Sequence, residues 1–458
     1  MRTSKRKSRH LGVLALLLCI FTVLSTLTAC GKKDPSGGAQ TTPTSENGSL
    51  TDTEPSTAPS NERDDLNKSY DFDRNYVILS RSSTAYEFES TSSVSGDVVA
   101  SAVFSRNAAV EDRTNVTIKI IKLAGDWESS VGDGSRGGNN QFEAAVRSDT
   151  MTGYSSYDLV ATHSGYFANL AVEGLGLDLN SLDGVNLTKR WWSEAYYNEC
   201  NYRGAIYMMI GDLAYTLYDY MEVVFFNETK ADALGIDDLY DLALSGEWTY
   251  FKLKEYAALV NSDPNAGDTR EYGLLANCDA ARAIGNALEA NFLVKNSDGT
   301  RFYPENMNQT ALTRLDDFAA FVNEAHVFYP KSWGDEATTE TPMFSEGRAL
   351  FYMQTLGRSM VLKTEMADSY GVLPFPKWDE TQLEYHTAPK DSVTSIMIPA
   401  NVEDPYSTGI VTELLSMYGY EKITSAYYEK VLKYQAFNNP KCIQTLEIIK
   451  NSANISFQ

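Results

Sequence analysis

Three β-branched runs separated by helical stretches constrain this chain most. Tyr76-Val77-Ile78-Leu79-Ser80 is a short β-rich run, and the segment around Val103–Asn115 has helical character. Asn115-Val116-Thr117-Ile118-Lys119-Ile120-Ile121 alternates and is β-branched, so it reads as a second strand. A helix over about Asn140–Ser148 leads into Tyr157-Asp158-Leu159-Val160-Ala161-Thr162, a third strand. Strands that alternate with helices are joined by crossovers, and crossovers make a parallel sheet covered by helices. A second alternating block follows. Met208–Asn227 is β-prone, Leu253–Val260, Ala280–Leu293 and Gln309–Ala325 are helical, and Ala349–Gln354, Tyr370–Leu373 and Ser395–Ile398 are strands. Helices run from Gly409 to Lys450. Two α/β lobes are the economical expectation for 458 residues.

The N-terminus has a different character. Arg2, Lys5, Arg6, Lys7 and Arg9 form a basic head before an apolar run, Leu11–Leu24. That run is too short for a permanent span of the roughly 30 Å hydrocarbon core and has the order of a secretory signal. It ends in Leu27-Thr28-Ala29-Cys30-Gly31, which resembles the bacterial lipobox, where the cysteine thiol takes a diacylglycerol and becomes the new N-terminus. Two acyl chains, at about 0.8 kcal/mol per buried CH₂, anchor stably. The expectation is a signal peptide over 1–29, a lipidated Cys30, and location on the outer face of a cell membrane, in a Gram-positive bacterium. From Gly31 to about Leu66 the chain is Ser, Thr, Pro, Gly, Asn and acid, too apolar-poor to offset its ordering entropy. Residues 30–69 therefore read as lipid anchor and flexible leash.

Charge and cysteine usage exclude several classes. There are 39 Lys and Arg against 61 Asp and Glu, and removing 1–29 takes away only basic residues. So acidic a chain lacks the cations that neutralise phosphates, which argues against nucleic acid. Cys200, Cys278 and Cys442 share no metal-ligand spacing and are expected as free thiols, with one bridged pair as the alternative in an oxidising exterior. His163, His326 and His386 stand apart, and no GxSxG, HExxH or GxxxxGK[ST] motif is present. No catalytic residue, metal or cofactor is expected. Gly132–Gly137 formally matches G-x-G-x-x-G but does not follow a strand directly, so it reads as a plain loop. Asp263–Asp268 fails the calcium-loop template and reads as a turn.

The second block carries a resemblance. Val223-Val224-Phe225-Phe226-Asn227, then Gly246-Glu247-Trp248-Thr249 before a helix, then Phe344-Ser345-Glu346-Gly347-Arg348-Ala349-Leu350-Phe351, then Tyr370-Gly371-Val372-Leu373-Pro374-Phe375-Pro376-Lys377 occur in order. Together they resemble the markers of extracellular solute-binding protein family 1, the maltose-binding-like lipoproteins of ABC importers, over roughly residues 70–450. The resemblance implies a two-lobed, type II periplasmic-binding-protein-like α/β fold with a hinge between lobes. Its expected division is 70–217 with about 375–425 as one lobe, and about 218–374 with 426–458 as the other. Family members continue for several more helices, so a shortened second lobe is expected. Asp391-Ser392-Val393-Thr394 stands where the family often has a Gly-Gly pair. The resemblance also implies a monomer that takes a small solute and passes it to ABC permease subunits.

A carbohydrate is the expected solute, because 28 Tyr, 19 Phe and 6 Trp supply stacking faces for sugar rings. Open α/β sheets place ligands just beyond strand ends. That rule selects Arg81, Tyr86, His163, Tyr166, Asp212, Tyr215, Trp333 and Trp378 as ligand contacts. Trp191-Trp192 is either a further stacking surface or a buried anchor. The rival readings are a lipid-anchored glycoside hydrolase, whose carboxylate pair sequence does not reveal, and a surface sensor or adhesin module.

Overall fold

β-branched runs become strands here, and how continuously each is buried sets its rank in the sheet. The computed structural model describes residues 68–90, 97–125, 141–303, 309–330, 340–436 and 439–453. Cys30, the leash, the Gly132–Gly137 loop and Trp333 lie outside the described residues. In the first lobe β1 (Arg74–Arg81) pairs in parallel with β2 (Val116–Leu123) and β3 (Leu159–His163). β11 (Thr394–Met397) returns antiparallel to β3, giving the order β11-β3-β1-β2. β3 is buried at every position, as an inner strand covered on both faces must be; β2 alternates because it is an edge.

Successive side chains of β1 serve two cores. Ile78 packs with Val103 and Val110 of α1 (Val98–Thr114), whereas Leu79 packs with Phe142 and Val146 of α2 (Gln141–Thr152) and with Phe167 of α3 (Ser164–Val172). α1 is capped at its start by Asp97, whose carboxylate accepts from the amides of Val99 and Ala100. α4 (Glu194–Cys200) follows on the same lobe, its capping Ser193 donating its amide to the Ile210 carbonyl at 2.9 Å.

The second sheet has the order β10-β4-β9-β5-β8. It comprises β4 (Glu222–Asn227), β5 (Tyr272–Leu275), β8 (Val327–Phe328), β9 (Ala349–Thr355) and β10 (Tyr370–Leu373). One face, through Val224, Phe226, Leu274 and Phe351, is covered by α5 (Leu239–Ser245), α6 (Tyr250–Ala257), α7 (Cys278–Ala287) and α8 (Gln309–Phe321). The other face, through Val223, Phe225 and Tyr352, joins the larger core of the first lobe. Between α7 and α8 a small hairpin, β6 (Val294–Lys295) with β7 (Arg301–Phe302), stands apart from both sheets. Met208–Asn227, expected to be β-prone throughout, is a strand only from Glu222; before it the chain makes isolated bridges and a short helix, Thr216–Asp219.

The chain leaves the first lobe at Met221 and returns through Pro389–Thr394; the two passages lie side by side, Glu222 donating its amide to Ala388 at 3.0 Å. Two expected boundaries shift. Residues 375–385 were expected with the first lobe, but Phe375 and Tyr385 lie in the second core and Trp248 Nε1 donates to the Pro374 carbonyl at 3.0 Å. Residues 426–436 were expected with the second lobe. They belong instead to a π-helix, Gly419–Ala436, that continues α9 (Pro405–Tyr418) and packs on α1. α10 (Pro440–Asn451) then packs on β10 and α5. Asp263 accepts from the Asn265 amide at 2.9 Å, a turn closed by its own side chain.

Trp191-Trp192 is a buried anchor. Both indoles donate to the carboxylate of Glu413 on α9 at 2.9 Å, and the Asn186 amide adds a third bond at 3.1 Å. Burial, opposed by these bonds, pushes Glu413 up to about 7. The unfolded chain therefore releases this proton first as pH rises. Folding stability should fall between the ordinary value of 4.5 and about 7, then level off. Glu413→Gln should flatten that fall; urea denaturation of parent and variant at pH 5 and pH 7.5 checks it. The comparison separates Glu413 from His163, whose lowered value acts in the opposite direction.

Candidate functional site

The C-terminal ends of β1 and β3 and the start of β11 meet at one edge of the first sheet. Arg81 closes β1, His163 closes β3, and Thr394 is paired opposite His163. The Arg81 guanidinium is buried and donates to the Ser392 carbonyl at 2.7 Å and to Thr394 Oγ1 at 3.4 Å, spanning the gap to the return crossing. His163 is fully buried; burial first, and the Arg81 charge second, lower it to about 3, so its imidazole stays neutral.

A single turn of 3-10 helix after β1, Ala85–Glu87, points neighbouring residues opposite ways. Glu87 turns inward and is wholly buried. Its carboxylate accepts from the Thr216 amide at 2.7 Å and from Thr394 Oγ1 at 2.5 Å, one partner on each crossing passage. Beneath it Arg106 of α1, also wholly buried, donates to the backbone carbonyls of Glu87 at 2.9 Å and Leu213 at 2.6 Å. Burial raises Glu87 and lowers Arg106 to about 9, with Glu87 opposing the second shift.

Tyr86 turns outward and is 41% exposed. Its ring lies 5.5 Å from that of Tyr215, which lies 5.3 Å from that of Tyr427 on the π-helix. Tyr427 donates its hydroxyl to Asp219 at 2.6 Å. Burial, reinforced by Glu87 and Asp219 nearby, holds the Tyr215 hydroxyl protonated far above the ordinary range. Tyr220 lies in the same group and is shifted up chiefly by burial. Tyr86, with the partly covered Tyr215 and Tyr220, offers a ring face and neutral hydroxyls that both donate and accept, while Tyr427 is buried behind them.

The second lobe reaches the same place. β9 ends at Thr355, and Leu356-Gly357-Arg358 passes so close to Asp219 that a Cβ on Gly357 would collide with its carboxylate. Arg358 lies near enough to Asp219 to oppose the upward shift that burial gives it. On the return crossing Lys390 donates its amide to the Tyr220 carbonyl at 2.8 Å and pairs through Nζ with Asp279 of α7 at 2.6 Å. Guanidinium, ammonium, carboxylate and phenol groups from both lobes thus surround the crossing.

Of the residues selected from sequence, the structure brings Arg81, Tyr86, His163 and Tyr215 together. Tyr166 falls within α3. Asp212 is buried and committed elsewhere, accepting from Tyr218 at 2.8 Å and Thr424 at 2.5 Å, with burial pushing it up to about 6. Trp378 stacks on Tyr250 at 5.5 Å and supports the second core. Glu87, Asp219, Tyr220, Arg358, Lys390 and Tyr427 were not selected. The first and third follow strand-end and crossing positions closely enough to have been found; Tyr427 had no local signal. Among the described residues no cluster of three or more His, Cys, Asp or Glu is arranged to hold a metal, and no helix is long and apolar enough to cross a membrane. Cys200 and Cys442 are free thiols.

No family model and no curated protein matches the sequence. Solved structures do match in shape. A cyclo/maltodextrin-binding protein complexed with maltotetraose is 16% identical, with a TM-score of 0.53 over 83% of this chain and 86% of its own. UgpB from Mycobacterium tuberculosis, in complex with glycerophosphocholine, is 13% identical, with a TM-score of 0.52 over 78% of each chain. An ABC substrate-binding protein from Listeria monocytogenes, in complex with cycloalternan, is 12% identical, with a TM-score of 0.50 over 84% of this chain and 89% of its own. The chain has the two-lobed α/β fold of these solute-binding proteins.

Glu87→Ala should leave the Thr216 amide and the Thr394 hydroxyl without their buried acceptor, at a cost of about 3 kcal/mol in folding stability. Urea unfolding followed by circular dichroism measures it, and a cost near zero would remove Glu87 from its structural place.

Proposed function

We propose that this protein captures a polyhydroxylated solute, a carbohydrate, between its lobes and delivers it to the permease of an ABC importer. The observation that carries this reading is the exposed Tyr86 ring set against Tyr215 at the strand ends, backed by buried Tyr427 and Arg81, with Arg358 and Lys390 approaching from the second lobe's side. A sugar ring needs a flat apolar face to stack on and planar or hydroxyl groups to bond its rim, and this group holds both within one ring's reach. The complexes formed by proteins of the same fold with maltotetraose and cycloalternan favour such a solute. Lobes joined by two adjacent passages can close on a ligand, and closure is selected only by contacts made in the closed form.

Isothermal titration against a panel of mono- and oligosaccharides tests the reading. One saccharide should bind with micromolar or tighter affinity, and Tyr86→Ala should weaken it at least tenfold, about 1.4 kcal/mol. Silence across the panel, with binding of peptides or polyamines instead, would overturn the carbohydrate assignment.

A lipid on Cys30 holds the protein at the membrane, where tethering raises its effective concentration beside the permease. The signal-like head, the small residues before Cys30 and the polar leash support this. Expressed in a Gram-positive host, the chain should partition into the detergent phase of Triton X-114, and Cys30→Ser should move it to the aqueous phase. Aqueous partition of the parent would exclude the anchor.

A further inference from the structure

Besides the crossing passages, a second contact joins the lobes. α4 belongs to the first lobe, since Tyr196 Oη bonds Ser395 Oγ of β11 at 3.1 Å. The β6–β7 hairpin belongs to the second, lying between α7 and α8, whose Ala283, Ile284, Phe318 and Phe321 fill that lobe's core. Yet the hairpin closes on the end of α4 and the turn after it. Arg301 Nη2 donates to the Glu199 carbonyl at 2.5 Å and pairs with Glu199 Oε1 at 2.6 Å. The Arg203 amide donates to the Asp298 carbonyl at 3.0 Å. Gly299, at φ +84°, lies against Asn201–Arg203, where a Cβ would strike the Asn201 carbonyl oxygen.

Both halves of this contact are shaped before they meet. In the hairpin Asp298 Oδ1 accepts from the Thr300 amide at 3.0 Å and hydroxyl at 2.6 Å, while the Gly299 amide donates to Asn296 at 3.0 Å. In the first lobe Tyr202 and Ala205 bridge, and the Gly204 amide donates to Asn201 Oδ1 at 2.9 Å. Two preformed turns that meet through backbone groups lose little conformational entropy on docking, unlike a pair of long surface side chains. The ion pair is also partly sheltered, its side chains 25% and 18% exposed.

We propose that the Asp298–Arg301 hairpin is an interlobe clasp that holds the lobes closed without solute. Its consequence for binding rests on the solute-capture reading above; the contact itself does not. A ligand that needs the closed form sees its apparent affinity scaled by the closed fraction, so the clasp raises affinity by maintaining that fraction.

The experiment is double electron–electron resonance on the full-length, solute-free chain. Spin labels are placed at the exposed positions of M151C and L383C, one on each lobe, with the other cysteines replaced. The parent should give one short distance. Arg301→Ala and Gly299→Val should each add a longer distance carrying most of the population, with circular dichroism unchanged. Glu199→Arg should open the protein likewise, and E199R combined with R301E should restore most of the short distance, which a variant that merely fails to fold would not do. Unchanged distributions in Arg301→Ala and Gly299→Val would overturn the clasp. Adding the saccharide panel to the same samples separates the two readings. Clasp variants that open while no saccharide binds the parent would defeat the carbohydrate assignment alone. Variants that stay closed while a saccharide binds would defeat the clasp alone.

Discussion

The buried carboxylate of Glu87 is where the first lobe and both crossing passages are tied together. It receives the Thr216 amide from the outgoing passage and the Thr394 hydroxyl from the returning strand, and its own carbonyl rests on Arg106 of α1. In a low-dielectric interior such bonds are stronger than in water, and an unsatisfied partner is correspondingly costly, so the three segments have one good arrangement. The same turn that drives Glu87 inward leaves Tyr86 facing out. The orientation of the candidate site is thus a by-product of the strongest structural constraint beside it.

Around that point the molecule separates two kinds of aromatic. Trp191, Trp192, Trp248 and Tyr250 are spent on cores and anchors, their polar atoms bonded to Glu413 or Pro374 or their faces covered by neighbouring rings. Tyr86, Tyr215 and Tyr220 gather instead at the crossing, over buried Tyr427 and among charges of both signs. Glu87 ties together the first-lobe ends of both passages, and the hairpin contact through Arg301 joins the two lobes at a second place.

Much of this was legible from sequence. Strands β1, β2 and β3 are readable because β-branched residues run through them, and β9, β10 and β11 from short aromatic and aliphatic runs. β5 was missed because Tyr272-Gly273-Leu274-Leu275 carries no alternation, and it is a strand only because β9 and β8 flank it. The hairpin strands are two residues long, below any pattern, although Asn296-Ser297-Asp298-Gly299 is a turn signal. Met208–Asn227 failed in the other direction: Ile, Thr and Tyr favour strands on average, but before Glu222 they serve an irregular approach to the crossing. Asp212 and Trp378 were selected with Tyr86, and only burial of the first and stacking of the second on Tyr250 set them apart.

By itself the sequence determined the order of strands and helices, the parallel character of the first sheet and the class of fold, because these follow from patterns local to each segment. It also marked the strand ends where Arg81, Tyr86 and His163 stand. Only the tertiary structure decided that Glu87 is a buried tie, that Tyr427, more than 300 residues from Tyr86, completes the ring array, and that a hairpin from one lobe grips a turn of the other. Those contacts join residues far apart along the chain, and their energies come from desolvation and geometry that no single segment carries.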